Sequence, residues 1–137
     1  MVVLCTNAVG ELHCGSLDLA LEMFDRARLL NPDGSFAHVA WAGSAHVHMV
    51  KGDFALAYEL GGRAVMTAPG FDSGHWMMIA AAAHLGWMDE ARQHLARFAA
   101  HAPKVTLASI RTGQVDLIPE RMANILEGLR LAGLPAG

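Results

Sequence analysis

Eight histidines, two cysteines and 13 acidic residues are the side chains in this 137-residue sequence that could hold a metal or move a proton. Their spacing argues against a metal site. His46 and His48 are two apart on a helical stretch and point about 200° from each other, so they cannot share one ion. Glu90, His94 and His101 fall on one helical face, but that face is the polar side of a helix whose other side is apolar, and solvation accounts for it. No His-Glu-x-x-His, Cys-x-x-Cys or Glu-x-x-His occurs, so neither metal nor cofactor is expected. Nucleophilic chemistry needs a nucleophile, a base and an orienting group brought together. Neither Cys14 nor any serine lies in a local signature for that, and Gly61-Gly62-Arg63 lacks phosphate-loop spacing. No catalytic residue is assigned, and the sequence is not expected to be an enzyme.

The remaining chemistry is that of surfaces. Ten basic residues against 13 acidic give a net charge of −3 with no basic stripe, so nucleic acid is not an expected partner. Apolar residues make up 53% and charged ones 17%, against about 25% charged in an average soluble domain. Much of the surface must therefore be apolar or covered. The apolar run from Met77 to Met88 is broken by His84 and Gly86 and is shorter than the roughly 20 residues of a membrane span. The first residues lack the basic and cleavage features of a signal peptide. Cys5 and Cys14, nine apart on one helix, would sit about 13 Å from each other on opposite sides, beyond disulfide reach. These features lead to the expectation of a cytoplasmic protein with no membrane partner.

The elements that position these side chains are helices. Alanine is frequent, and Gly or Pro breaks fall at Asn31-Pro-Asp-Gly, Lys51-Gly-Asp, Ala68-Pro-Gly, Leu85-Gly-Trp and Ala102-Pro-Lys, the punctuation of helix ends. Three strings align without a gap. Gly15, Leu17, Ala20, Phe24, Ala27 and Pro32 match Gly52, Phe54, Ala57, Gly61, Ala64 and Pro69. These in turn match Gly86, Met88, Ala91, Leu95, Phe98 and Pro103. In the second string Gly61-Gly62 stands where a large apolar residue is due, which predicts a kink or a ring such as Trp76 filling the space. Beyond Pro103 a short helix is expected over residues 106–112. A second helix then opens at Ile118-Pro119-Glu120 with the stripe Met122, Ile125, Leu126, Leu129, ended by Gly133 and Pro135.

This pattern resembles the tetratricopeptide repeat, whose units are helical hairpins of about 34 residues with Gly, aromatic, Ala, Phe, Ala and Pro at key positions. Trp41 and Ala45 stand where the first helix of a unit favours Trp and a small residue. The resemblance covers about residues 2–103 and implies an all-α fold, an α-solenoid (a right-handed superhelix) of about three such hairpins plus a C-terminal capping helix. One domain, 1–137, would hold units near 2–34, 37–70 and 72–104 and a capping segment 105–135. In that family the first helices line a concave face that binds partners. Projected here, the face comprises Cys5, Val9 and His13, then Val39, Ala42, His46 and Met49, then Ser73, Trp76, Ala80 and His84. It lacks the Lys, Arg and Asn of members that clamp a terminal carboxylate. An apolar, His-dotted groove suits an apolar helix or segment of a protein or peptide. That segment is either foreign, the Met122–Leu129 stripe of the same chain, or a second copy. Residues 120–135 also resemble the end of bacterial adenylate or guanylate cyclase proteins with such repeats, which implies a regulatory or scaffold role in cyclase-like or transcriptional signalling. The alternatives are a homo-oligomeric scaffold whose groove is filled by its own chain and a small-molecule or metal-binding sensor domain.

Overall fold

Each alanine-rich run between two Gly or Pro breaks forms a helix. The computed structural model describes residues 2–114 and 118–137; residues 1 and 115–117 of the expected domain lie outside them. The described residues are all-α, without a strand. The helices are α1 (Val2–Cys14), α2 (Leu17–Leu30), α3 (Ala37–Lys51), α4 (Phe54–Thr67), α5 (Asp72–His84), α6 (Met88–His101), α7 (Leu107–Gly113) and α8 (Glu120–Ala132). None of the described helices is long and apolar enough to cross a membrane.

Local chemistry sets the boundaries. Ser16 and Asp53 cap α2 and α4, their side chains accepting from the Leu19 and Leu56 amides, which satisfies donors that the first helical turn leaves open. Thr106 and Ser109 form a reciprocal capping box on α7. Gly52 and Gly86 turn the chain with φ of 82° and 81°, a conformation that glycine adopts without steric cost. The aligned Gly15 does not have a positive φ. There the Glu11 carboxylate reaches across the turn and accepts from the Ser16 amide at 2.7 Å, so the first turn closes by a side chain where the other two close by backbone conformation.

From α1 to α6 each helix packs on the next, and α1, α3 and α5 also touch as a row. The aligned alanines Ala20, Ala57 and Ala91 are fully buried, as are Ala27 and Ala64. Small side chains at these points let neighbouring helices approach, and Phe24 and Phe98 fill the space between them. α5 is enclosed by α3, α4, α6 and α8, so Ile79 and Ala80 to Ala82 are fully buried and the helix has no polar face, as expected of one covered on all sides. Trp41 lies under two guanidiniums, those of Arg28 at 4.4 Å and Arg63 at 5.0 Å.

The Gly61-Gly62 expectation is corrected. α4 runs unbroken through both glycines, and no aromatic ring is drawn in. A Cβ at Gly61 would lie 3.0 Å from the Met77 Cβ and 3.1 Å from the Met78 backbone nitrogen. The space is therefore filled by the backbone of α5, which comes closer than any large residue would permit. Gly62 has only the Met78 thioether nearby, at 3.9 Å.

Candidate functional site

The row α1, α3 and α5 carries every residue expected on the concave face, and α8 of the same chain lies across it. α8 packs mainly on α5, then on α3. Its stripe enters the core: Met122, Ile125 and Leu129 are 0–2% exposed. Opposite them Ala42, His46, Met49, Trp76 and Ala80 are buried, while His13, Val39, Ser73 and His84 are half-buried. The part of the expected face around His46, Met49, Ala80 and His84 is thus covered by the chain's own helix, while Val9, His13, Val39 and Ser73 line space that α8 leaves.

Polar contacts fix the register of α8 on this row. His46 Nε2 donates to the Arg121 carbonyl at 2.7 Å, and His84 Nε2 donates to the Asn124 carbonyl, also at 2.7 Å. A carbonyl can only accept, and its second lone pair is available even inside a helix, so both rings carry their proton on Nε2. Asn124 Nδ2 returns a bond to the Met49 carbonyl at 2.8 Å. The Arg121 guanidinium donates to the Leu12 and Gly15 carbonyls at 3.0 and 2.9 Å, placing a cation at the C-terminal end of α1 where the helix dipole favours it. His84 stacks on Phe54 with ring centroids 4.2 Å apart, and His13 meets His46 edge-on at 5.4 Å.

Close approach completes the seat. A Cβ on Gly128 would lie 2.6 Å from the Ala80 carbonyl oxygen and 2.7 Å from its Cα, so α8 rests on α5 with backbone nearly against backbone. After α8, the Pro135 and Ala136 carbonyls accept from the Leu107 and Ala108 amides, and Leu134 is buried. The tail is thereby clipped to the first turn of α7.

Burial governs the titration of His46. His46 is pushed down to about 4, chiefly by loss of solvation, with the nearby His13 and Arg121 charges acting in the same direction and the bond to the Arg121 carbonyl opposing. It is therefore a neutral imidazole whose Nδ1 is the acceptor. Elsewhere, burial lowers His94 first and Arg97 adds to it; its ring is hydrogen-bonded to the Tyr58 hydroxyl at 2.9 Å. His48 faces away from the groove, its Nδ1 4.0 Å from Asp53. Among the described residues no group of three or more His, Cys, Asp or Glu is arranged to hold a metal ion.

Where α8 ends its cover, a cavity of about 140 Å³ remains between α1, α3 and α5. Leu12, Val39, Phe71 and Met122 supply apolar walls, and His13, His46, Ser73, Trp76 and Gln114 supply polar groups. Trp76 is 9% exposed, and its indole Nε1 has no hydrogen-bond partner among the described residues.

Arg121, Asn124 and Gly128 hold α8 in its seat, and sequence reasoning missed them. A glycine inside an otherwise apolar helical stripe was the available signal, since it marks a close approach as readily as a weak helix. Nothing local distinguishes Arg121 or Asn124 from solvated residues on the flank of the stripe. No protein-family model matches the chain, and no curated protein matches it.

Proposed function

We propose that this chain is a non-catalytic protein-interaction module, a tetratricopeptide-like α-solenoid of about three hairpins whose concave row receives an amphipathic helix. The seating of α8 carries this reading. An apolar stripe at i, i+3 and i+7 enters the row, two imidazoles donate to backbone carbonyls three residues apart, and a glycine permits close contact. These are the elements of helix-in-groove recognition. In this chain α8 is the resident helix, so a foreign helix would compete with it, and affinity would be reduced by the fraction of molecules in which the groove is filled. The tail likeness at residues 120–135 supports a regulatory place in bacterial cyclase-like or transcriptional signalling, with α8 as the internal competitor. Cytoplasmic residence belongs to the same reading.

The test is exchange. Gly128→Leu forces α8 off the Ala80 backbone and frees the row. A fluorescein-labelled peptide of residues 118–137 is expected to bind this variant at least tenfold more tightly than the unaltered chain, and the peptide carrying Ile125→Asp and Leu129→Asp is expected not to bind. A helical, cooperatively unfolding Gly128→Leu chain that ignores the peptide overturns the proposal.

A further inference from the structure

Successive turns of α8 meet successive helices of the row. Arg121 donates to the Leu12 and Gly15 carbonyls at the end of α1, Asn124 donates to the Met49 carbonyl near the end of α3, and Gly128 lies against Ala80 of α5. His46 and His84 donate to main-chain carbonyls of α8, a group that every helix carries, so they hold a helix of any sequence. The side chains that the row distinguishes are the other three. Leu12 is in the last turn of α1 and Gly15 just beyond it, where carbonyls lack intrahelical donors and the dipole presents its negative end. A cation is favoured there and a carboxylate is repelled. The Met49 carbonyl, which also accepts from the Gly52 amide, has a second lone pair for a donor and nothing to offer an acceptor. At Gly128 the Ala80 backbone leaves no room for a Cβ. Arg121 brings α8 no advantage in isolation, because it stands in the first turn of that helix, where the helix's own dipole disfavours a cation. What it gains, it gains across the groove.

We propose that the row selects its partner by polar side chains as well as by an apolar stripe: the partner is an amphipathic helix of another protein with Arg at i, Asn at i+3 and Gly at i+7, and large apolar residues at i+1, i+4 and i+8. In α8 these six positions are Arg121, Asn124 and Gly128, then Met122, Ile125 and Leu129. The inference rests on the helix-exchange reading and adds to it the chemistry of the partner. Helices with Asp or Glu at i or i+3, or with a side chain at i+7, are excluded, so an apolar face alone does not gain entry.

Competition tests the pattern. The Gly128→Leu chain, with its row open, is loaded with the fluorescein-labelled peptide of residues 118–137, and unlabelled variants of that peptide displace it; Ile125→Asp opens the row instead should Gly128→Leu not fold. The Arg121→Met peptide keeps the stem of the side chain and loses its donors, and is expected to compete about tenfold less well than the parent peptide. Asn124→Asp keeps the shape and puts a carboxylate where the donor was, with an expected loss of about tenfold or more. Arg130→Met makes the same chemical change on the exposed side of α8 and should stay within about twofold. An unrelated alanine-rich helix given only the six residues at these spacings is expected to compete, and the same helix with Glu at i and i+3 is not. A labelled peptide that ignores the open chain overturns the helix-exchange reading and this proposal with it. If the labelled peptide binds and either Arg121→Met or Asn124→Asp competes as well as the parent, the row reads apolar surface alone, and this proposal falls while the exchange reading stands. Two alanine-rich helices that compete alike overturn it equally.

Discussion

Replacing Gly128 with alanine adds one methyl group in a helix interior, a change that by itself stabilises a helix by about 1 kcal/mol. Here the methyl would be placed 2.6 Å from the Ala80 oxygen and 2.7 Å from the Ala80 Cα and Cβ. The first two of these are backbone atoms of a helix enclosed by four others, so they cannot rotate away. α8 must retreat by about 0.7–1 Å, and a gap of that width forfeits a quarter to a half of the dispersion attraction along the contact. Met122, Ile125 and Leu129, all buried on that contact, lose packing together. Overpacking of this kind costs about 3 kcal/mol at the upper end of its usual range. After the helix-propensity gain is subtracted, Gly128→Ala is expected to be destabilised by about 2 kcal/mol. Gly62→Ala is the internal control: the same methyl in α4 meets nothing nearer than the Met78 thioether at 3.9 Å, so propensity prevails and the variant gains about 0.5–1 kcal/mol. Urea unfolding followed by circular dichroism should move the two midpoints in opposite directions, Gly128→Ala downward by about 1 M. A Gly128→Ala chain as stable as the unaltered protein would refute the close seating of α8 on α5.

Two other outcomes follow from the same seat. Arg121→Met keeps the aliphatic stem but removes both guanidinium bonds to the end of α1, and urea unfolding should register a loss of about 1–2 kcal/mol, that of charged hydrogen bonds in a half-buried site; an unchanged midpoint would mean these bonds contribute nothing net. For His46 the ring accepts a proton near 6.5 in the unfolded chain and only near 4 in the folded one. The unfolded state binds more protons between those values, so stability falls as pH drops through that window, by about 3 kcal/mol from this group. His48 and His94, also lowered by burial, add to the same slope. Urea midpoints across that range test this, His46→Gln should flatten the slope, and a midpoint that rises on acidification would contradict the burial of a neutral ring.

What the sequence determined by itself was local. The bounds of α1 to α8 follow from alanine content, capping residues and Gly or Pro breaks, because a helix is decided by side chains within a few positions of one another. The three aligned strings located the alanines at which helices approach, and the stripe at Met122, Ile125 and Leu129 marked α8 as a helix with one face to bury. Tertiary structure decided what that face meets. His46 to Arg121 spans 75 positions, His84 to Asn124 spans 40 and Arg121 to Leu12 spans 109; pairings at such separation leave no periodic trace in a single chain. The glycines make the same point. Gly61, Gly62 and Gly128 are alike as letters, yet one meets the α5 backbone, one touches only the Met78 thioether and one seats α8. The low charge resolves likewise: α8 covers the α3 and α5 part of the groove, and the exposed large apolar residues include Val3, Val9, Leu19, Leu29, Leu30 and Phe36 of the first hairpin and its turn. Composition fixed how much apolar surface had to be hidden, and only the packing of distant helices decided which of it was.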